Sequence, residues 1–302
     1  MKLLIQLKAL FTRLLHSELR VFYPLVTVAV VFMLFGYAGC KMPNDGIPVY
    51  LHVDSVRVNP DNGQGAASHN IGDIWVEANA DNLGAYGLPI YIPVLQENEV
   101  RFVINAGIKE SGQSGIRVTY PFYRPDTFSI TGVRGQVYHH NAVFRYREAS
   151  VFALNENFDF SSGFSTDGVR SKIVDQSDGN VDPAFGGFRC LKLNVTAADS
   201  AAETASDPAI DLPEGQEIWL EVDYKSEVPF YIGFYGTGGG TTIKVPAMFV
   251  TPQAGWNKVY VKLSLLIGQT RAPTYRIYFE ALRPYASDGG SVYIDNVKLV
   301  HF

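Results

Sequence analysis

Residues 218–224 read Ile-Trp-Leu-Glu-Val-Asp-Tyr, and this stretch decides the fold class of the chain. One face of the pattern carries Ile218, Leu220, Val222 and Tyr224. The other face carries Trp219, Glu221 and Asp223. Successive side chains of a β-strand point to opposite faces of its sheet. The alternation therefore predicts a strand with its aliphatic face toward a core.

Strand patterns of this kind recur along the chain after residue 47, separated by turn signals about every 8–12 residues. The segments are 49–58, 74–78, 90–95, 99–104, 116–120, 186–193, 218–224, 255–263, 275–279 and 292–299. No stretch beyond residue 40 shows the 3.6-residue period of an amphipathic helix. The spacing is typical of β-sandwiches, and we predict an all-β protein.

The order of the segments predicts two tandem β-sandwich domains. The expected organisation is a signal peptide at 1–39, a tether at 40–47, a small sandwich at 48–120, a connecting segment at 121–150 and a second sandwich at 151–302. Domains of ordinary size account for the length after residue 39.

Two resemblances refine this organisation. The run from Ile74 to Ile104, with its Asn82-Leu83-Gly84 turn and its Leu88-Pro89 strand start, resembles PEGA-like or transthyretin-like (Ig-like) sandwiches. Such domains are accessory. Residues 151–302, with Gly255-Trp256 and the closing Tyr293-Ile294-Asp295-Asn296-Val297, resemble the carbohydrate-binding (galactose-binding-like) jelly rolls. The resemblance implies a jelly roll but not a function.

The N-terminus predicts export. Four basic residues precede an uncharged apolar stretch at 21–35, which is the layout of a signal peptide. Tyr37-Ala38-Gly39-Cys40 resembles the lipobox of bacterial lipoproteins, which implies cleavage before Cys40 and a lipid on its sulfur. Tyr37 departs from the usual Leu and leaves lipidation open. An uncleaved anchor is the alternative, since the stretch extended to Gly39 approaches the about 20 residues of a spanning helix.

Charge and cysteine content exclude other classes. The chain has 25 Lys+Arg and 30 Asp+Glu. Residues 1–39 hold four basic residues and one acidic residue. The rest of the chain therefore has 21 Lys+Arg and 29 Asp+Glu, which gives it a formal charge of −8. Nucleic-acid binding needs clustered Lys and Arg, so we predict no nucleic-acid partner.

Cys40 and Cys190 are the only cysteines. Cys190 lies in a strand pattern with no sign of a His partner, and we expect it to be buried rather than reactive.

Three aromatic residues are candidate ligand contacts: Trp219, Tyr231 and Tyr235. If the aliphatic residues between them form the core, the three face outward together on neighbouring strands. Sugar rings stack on flat aromatic faces flanked by carboxylates, so this set predicts a glycan contact. The Gly-rich loop at 236–240 beside them permits close approach. The alternative is that these rings pack under a loop or against the first domain.

Three carboxylates are candidate calcium ligands. Jelly rolls of the resembled class often hold a structural calcium between their opening and closing strands, and the resemblance places Glu156, Asp159 and Asp295 there. Calcium requires several oxygen ligands. Solvated carboxylates at strand ends are the alternative interpretation. We expect no other cofactor.

The sequence indicates no enzyme. It contains no G-x-S-x-G, H-E-x-x-H or phosphate-loop motif, although a carboxylate pair assembled from distant strands leaves a glycosidase open.

Lipobox, PEGA-like sandwich and jelly roll together resemble outer-membrane lipoproteins of the Bacteroidota. We therefore expect a lipid-anchored, outer-membrane interaction subunit of a complex such as β-barrel assembly or nutrient uptake machinery. The alternative is a cell-surface glycan-binding protein, and neither the partner, the glycan nor the membrane face follows from sequence.

Overall fold

The computed structural model describes residues 46–96, 98–175, 187–285 and 287–302, and residues 48–302 form one compact unit. The predicted signal peptide, Cys40 and most of the tether lie outside the described residues. The regular structure is almost entirely strand, which confirms the all-β prediction. In the described ranges, no helix is long and apolar enough to cross a membrane.

The first half of this unit contains three small sheets. Its strands are β1 (Val49–Val53), β2 (Val56–Val58), β3 (Asp73–Ala78), β4 (Asp81–Gly87), β5 (Ile90–Val94), β6 (Asn98–Lys109), β7 (Arg117–Thr119), β8 (Asp126–Gly132), β9 (Val137–His139) and β10 (Ala142–Phe144). The sheet orders are β5-β1-β9, β10-β2 and β4-β3-β6-β7, with β8 also paired to β6. The segment expected to connect the domains therefore contributes β8, β9 and β10 to these sheets.

The second half is a sandwich of two antiparallel sheets. Its elements are β11 (Val151–Glu156), β12 (Ser171–Asp175), β13 (Arg189–Thr196), β14 (Ala201–Ala205), β15 (Ile218–Ser226), β16 (Phe230–Gly238), β17 (Thr241–Val250), β18 (Gln253–Lys262), α1 (Ser264–Thr270), β19 (Thr274–Leu282) and β20 (Gly289–His301). A six-stranded sheet has the order β12-β13-β20-β15-β18, with β11 on β20, and a four-stranded sheet has the order β14-β19-β16-β17. The sequence did not predict α1, because its seven residues are too few for a helical period to emerge.

The aliphatic face of β15 packs as predicted. Ile218, Leu220 and Val222 lie in the core between the two sheets, opposite residues of the four-stranded sheet such as Phe230 and Phe279. Cys190 is buried, and this burial raises the pKa of its thiol to about 12. The thiol is therefore unreactive at neutral pH, as expected from its strand pattern.

The second face of β15 is buried as well. The first sandwich covers the outer side of the six-stranded sheet, and its Tyr120, Phe122 and Tyr146 form a single apolar cluster with Trp219 and Tyr260. Tyr120 lies at the centre, with its ring 5.6 Å from that of Trp219 and 4.9 Å from that of Tyr260. Aromatic contacts at these separations add to the free energy gained by apolar burial.

Backbone and loop contacts fix the two halves in one orientation. The turn after β6 reaches β18, where the Ser111 amide donates to the Tyr260 carbonyl at 2.8 Å. The Asn70 side chain donates to the Lys258 carbonyl at 2.9 Å. Gly65, at φ +77°, lies so close to β11 that a Cβ there would come within 2.4 Å of Asn155 Oδ1. The Gly-rich loop at 59–70 therefore crosses the second sandwich in close contact.

A network of buried charges lies inside this interface. Glu221 accepts hydrogen bonds from the hydroxyls of Tyr120 at 2.7 Å and Tyr146 at 2.8 Å, and its other oxygen is 3.0 Å from Lys258 Nζ. Lys298 Nζ donates to the Ala66 carbonyl at 2.7 Å. All of these charged side chains are almost completely buried. Burial alone raises the pKa of Glu221, but the two lysines and the tyrosine hydroxyls outweigh it and hold that pKa below its ordinary value.

Replacing Glu221 by Gln is expected to lower the free energy of unfolding by roughly 3–5 kcal/mol, because it removes the carboxylate 3.0 Å from buried Lys258 and leaves Asp223, at 3.6 Å, to compensate the buried ammonium groups. Chemical denaturation of the two proteins measures this difference. Glu148→Gln is the matched control, because that carboxylate is exposed and its ion pair with Arg124 is long, at 3.9 Å. We expect the control to change stability by less than about 0.5 kcal/mol. Equal small effects for both variants would show that the network contributes nothing.

Stability is also expected to rise with pH from 7 to 9. Burial lowers the pKa of Lys298 to about 8, from an ordinary value of 10.5. In this range the folded protein releases the proton while the unfolded chain retains it, so the unfolded state binds more protons and stability increases with pH. We expect a rise of about 1 kcal/mol in wild type and a smaller one in Lys298→Met, measured by urea denaturation at each pH. An identical slope in both proteins contradicts this assignment.

Candidate functional site

The three predicted aromatic contacts do not share a surface. Trp219 lies on β15 in the six-stranded sheet, whereas Tyr231 and Tyr235 lie on β16 in the four-stranded sheet. Trp219 is 1% exposed, and its indole Nε1 donates to Glu217 at 2.7 Å. The expectation that Trp219 faces outward is therefore wrong. Alternation identifies the residues that share a face, but it does not show that a second sandwich covers that face.

Tyr231 and Tyr235 do lie together on the outer side of the four-stranded sheet, and each is half-buried. Tyr231 contacts Phe249 of β17, with ring centroids 5.1 Å apart, and Tyr235 contacts Tyr278 of β19 at 5.2 Å. Phe249 is 50% exposed. We call these four residues the aromatic face.

One glycine allows the rings to lie close to the sheet. Gly233 stands between Tyr231 and Tyr235 on β16 and is buried. A Cβ at this position would lie 2.4 Å from the Val245 carbonyl oxygen and 2.6 Å from the Tyr278 ring. The absence of a side chain therefore lets Tyr278 rest on the backbone, where it supports the more exposed rings around it.

Charged groups border the aromatic face. Lys244 Nζ donates to Glu203 at 2.6 Å and to Glu280 at 2.8 Å, and it lies 4.7 Å from the centroid of the Tyr278 ring. Partial burial acts to lower the pKa of Lys244, but the hydrogen bonds to both glutamates outweigh it and raise that pKa. The Tyr235 hydroxyl donates to Glu203. Burial and this hydrogen bond raise the pKa of Tyr235 to about 12.

The arrangement offers flat apolar rings next to fixed donors and acceptors. Lysine supplies only donors and ionised carboxylates supply only acceptors, so hydroxyl groups of a ligand find both kinds of partner here. Sequence reasoning identified Tyr231 and Tyr235 but missed Phe249, Tyr278 and Lys244. Alternation within 274–282 places Tyr278 on the outer face, but only the strand register, which pairs Tyr231 with Phe249, shows which rings meet.

The three predicted calcium ligands do not form a site. Both carboxylate oxygens of Glu156 accept backbone amides, one from Phe158 and one from Gly163. Asp159 accepts the amides of Phe188 and Arg189, at 2.8 and 3.1 Å. Within the described ranges, no group of three or more His, Cys, Asp or Glu side chains is placed to hold a metal ion. Asp295 Oδ1 accepts the Asn296 amide at 2.7 Å, so each of the three predicted ligands already accepts at least one backbone amide.

The solved structures named here resemble this chain only with TM-scores below 0.4. No protein-family model and no curated protein matches it. A solved TmCBM61 in complex with β-1,4-galactotriose has 15% identity and a TM-score of 0.34, over 49% of this chain and 97% of that one. A family 30 carbohydrate-binding module of a Clostridium thermocellum cellulosomal cellulase has 18% identity and a TM-score of 0.32, over 50% and 96%. The enzymatically active domain of bacteriophage CBA120 tailspike protein 4 has 14% identity and a TM-score of 0.39, over 57% and 26%.

Proposed function

We propose that this protein binds glycans through the aromatic face and that it does not act on them chemically. The observation that carries the proposal is a group of rings on one sheet surface, in which exposed Phe249 pairs with half-buried Tyr231, and half-buried Tyr235 lies against buried Tyr278. Binding sites combine apolar and aromatic lining with a few polar groups that orient the ligand. The aromatic face and its bordering charges have this composition.

The chemistry of a sugar fits this surface. A pyranose ring presents C–H groups on its faces and hydroxyl groups around its edge. The exposed ring of Phe249 offers apolar area for the C–H groups. Burial of aromatic surface is a dominant source of binding energy. Charge-assisted hydrogen bonds to the sugar hydroxyl groups can come from Lys244, Glu203 and Glu280. Because these three side chains already hold one another, little conformational entropy is lost on binding.

The ion pairs also favour binding over hydrolysis. Glycosidases use a pair of carboxyl groups, one of which must act as a proton donor or a nucleophile. The pair available on this surface is Glu203 and Glu280, and Lys244 bonds to an oxygen of each. Because Lys244 already holds both carboxylates in ion pairs, their arrangement favours orientation of a ligand over the proton-donor or nucleophile role.

The complex-subunit hypothesis gains no support from the aromatic residues at 120–123. A contact surface for a partner would need such rings to be exposed. Tyr120, Phe122 and Tyr123 of this segment are at most 3% exposed and pack between the two sandwiches. Those rings are therefore used inside the molecule.

For the location of the protein we retain the proposal drawn from sequence. A lipid on Cys40 would tether the chain to the outer membrane, and a surface-facing orientation would bring the aromatic face to external polysaccharide. Metabolic labelling with a palmitate analogue, compared between wild type and Cys40→Ser, tests the anchor. Label retained by the variant would exclude Cys40 as the site.

Tyr231→Ala is expected to weaken polysaccharide binding at least tenfold, since removal of a central aromatic contact costs about 2 kcal/mol or more. Affinity electrophoresis of the full-length protein in gels containing galactan, β-glucan, galactomannan or polygalacturonate measures this effect. Tyr285→Ala is the matched control, because Tyr285 is fully exposed in the loop after β19 and is not one of the four residues of the aromatic face. We expect the control to migrate as wild type does.

Two results would count against the proposed function. One is free migration of the wild type in every gel. The other is equal retardation of wild type and Tyr231→Ala, which would place binding elsewhere. Release of reducing ends by the wild-type protein would instead show catalysis.

A further inference from the structure

A cavity of about 520 Å³ lies between the turn after β6 and the edge formed by β17 and β18. The first sandwich contributes Lys109, Gln113 and Asn70 to its lining, and the second contributes Phe249 and Asn257. Small-ligand sites have volumes of about 300–1,000 Å³ and occur preferentially at domain interfaces. The cavity therefore has the size and the position of a ligand site.

The walls of the cavity are held in place. The Ser111 amide bonds to the Tyr260 carbonyl at 2.8 Å, and the Asn70 side chain bonds to Asn257 Oδ1 at 2.9 Å. On the other side, Gly112 packs so closely that a Cβ would come within 2.8 Å of Met248 Cε. A site with walls already fixed loses little conformational entropy when a ligand enters.

The lining is polar, and its charge is positive. Amide and hydroxyl groups dominate it, and it contains no Asp or Glu. Lys258 also lines the cavity, but its charge is compensated by Glu221 at 3.0 Å. Lys109 is half-exposed and stands on the turn side of the cavity. In a chain with a net charge of −5, such a hollow favours an anionic group over a cationic one.

The cavity continues from the aromatic face. Phe249 contributes to the cavity lining and also contacts Tyr231, with ring centroids 5.1 Å apart. The aromatic face and the cavity thus share Phe249, so a chain of sugars on the aromatic face could extend toward the cavity at this residue. The polar lining suits one terminal sugar residue, and Lys109 suits a carboxylate on it.

We propose that the cavity binds the terminal residue of a glycan and that this residue is an acidic sugar whose carboxylate pairs with Lys109. The proposal rests on the glycan-binding function argued above and adds the class of sugar that the protein selects. It also assigns a role to the first sandwich, which supplies Lys109 and one wall of the site.

Calorimetric titration with matched acidic and neutral trisaccharides tests the proposal. The two trisaccharides of each pair differ only in their sugar unit. The acidic units galacturonate, glucuronate and mannuronate are compared with galactose, glucose and mannose, respectively. We expect the full-length protein to bind the acidic member of at least one pair about tenfold more tightly. Lys109→Gln is expected to abolish this preference, whereas Lys109→Arg, which keeps the charge, is expected to preserve it.

The outcomes separate this inference from the proposed function. Equal affinity for acidic and neutral members, or a preference that survives in Lys109→Gln, overturns the role of the cavity, while sensitivity to Tyr231→Ala would still support the aromatic face. Failure of every trisaccharide to bind overturns the acidic-sugar site. Retardation by polysaccharides would then decide separately whether the glycan-binding function stands.

Discussion

The orientation of the two sandwiches depends on charges that are buried between them. Glu221 and Lys258 lie on neighbouring strands of the six-stranded sheet, and Tyr120 and Tyr146 reach them from the first sandwich. A buried ion pair repays its desolvation only when geometry and additional hydrogen bonds are good. The two tyrosine hydroxyls meet this requirement for Glu221, so the network is satisfied only when both halves are docked. Any other arrangement of the two halves would leave the Glu221 carboxylate without the tyrosine hydroxyls, so the network penalises misdocking.

That docking determines which surfaces face solvent. It removes Trp219 and the aromatic segment at 120–123 from the surface, and it leaves the outer side of the four-stranded sheet open. It also creates the cavity between the turn after β6 and β18. The aromatic face and the cavity meet at Phe249, and the cavity depends on this placement because both halves line it.

The sequence predicted the fold class better than it predicted the site. Alternation in 218–224 located β15 and its core face, because the period of two is a local property of the strand. It failed for Trp219, because what covers the second face is decided by residues about 100 positions away, such as Tyr120. Tyr231 and Tyr235 share a strand and were found together for the same local reason. Phe249, Tyr278 and Lys244 required the pairing of β16 with β17 and β19, which alternation does not encode. The calcium prediction came from resemblance, and the structure gives those oxygens to backbone amides instead.

The central claim is that a sugar ring lies on the aromatic face, and saturation-transfer difference NMR tests it most directly. Irradiation of the aromatic protons of the protein transfers saturation to the ligand protons that contact them. With an oligosaccharide from a polysaccharide that retards the protein, the account predicts the strongest transfer at the ring C–H protons. It also predicts loss of this transfer in Tyr231→Ala but not in Tyr285→Ala. Unchanged transfer in Tyr231→Ala would contradict the account.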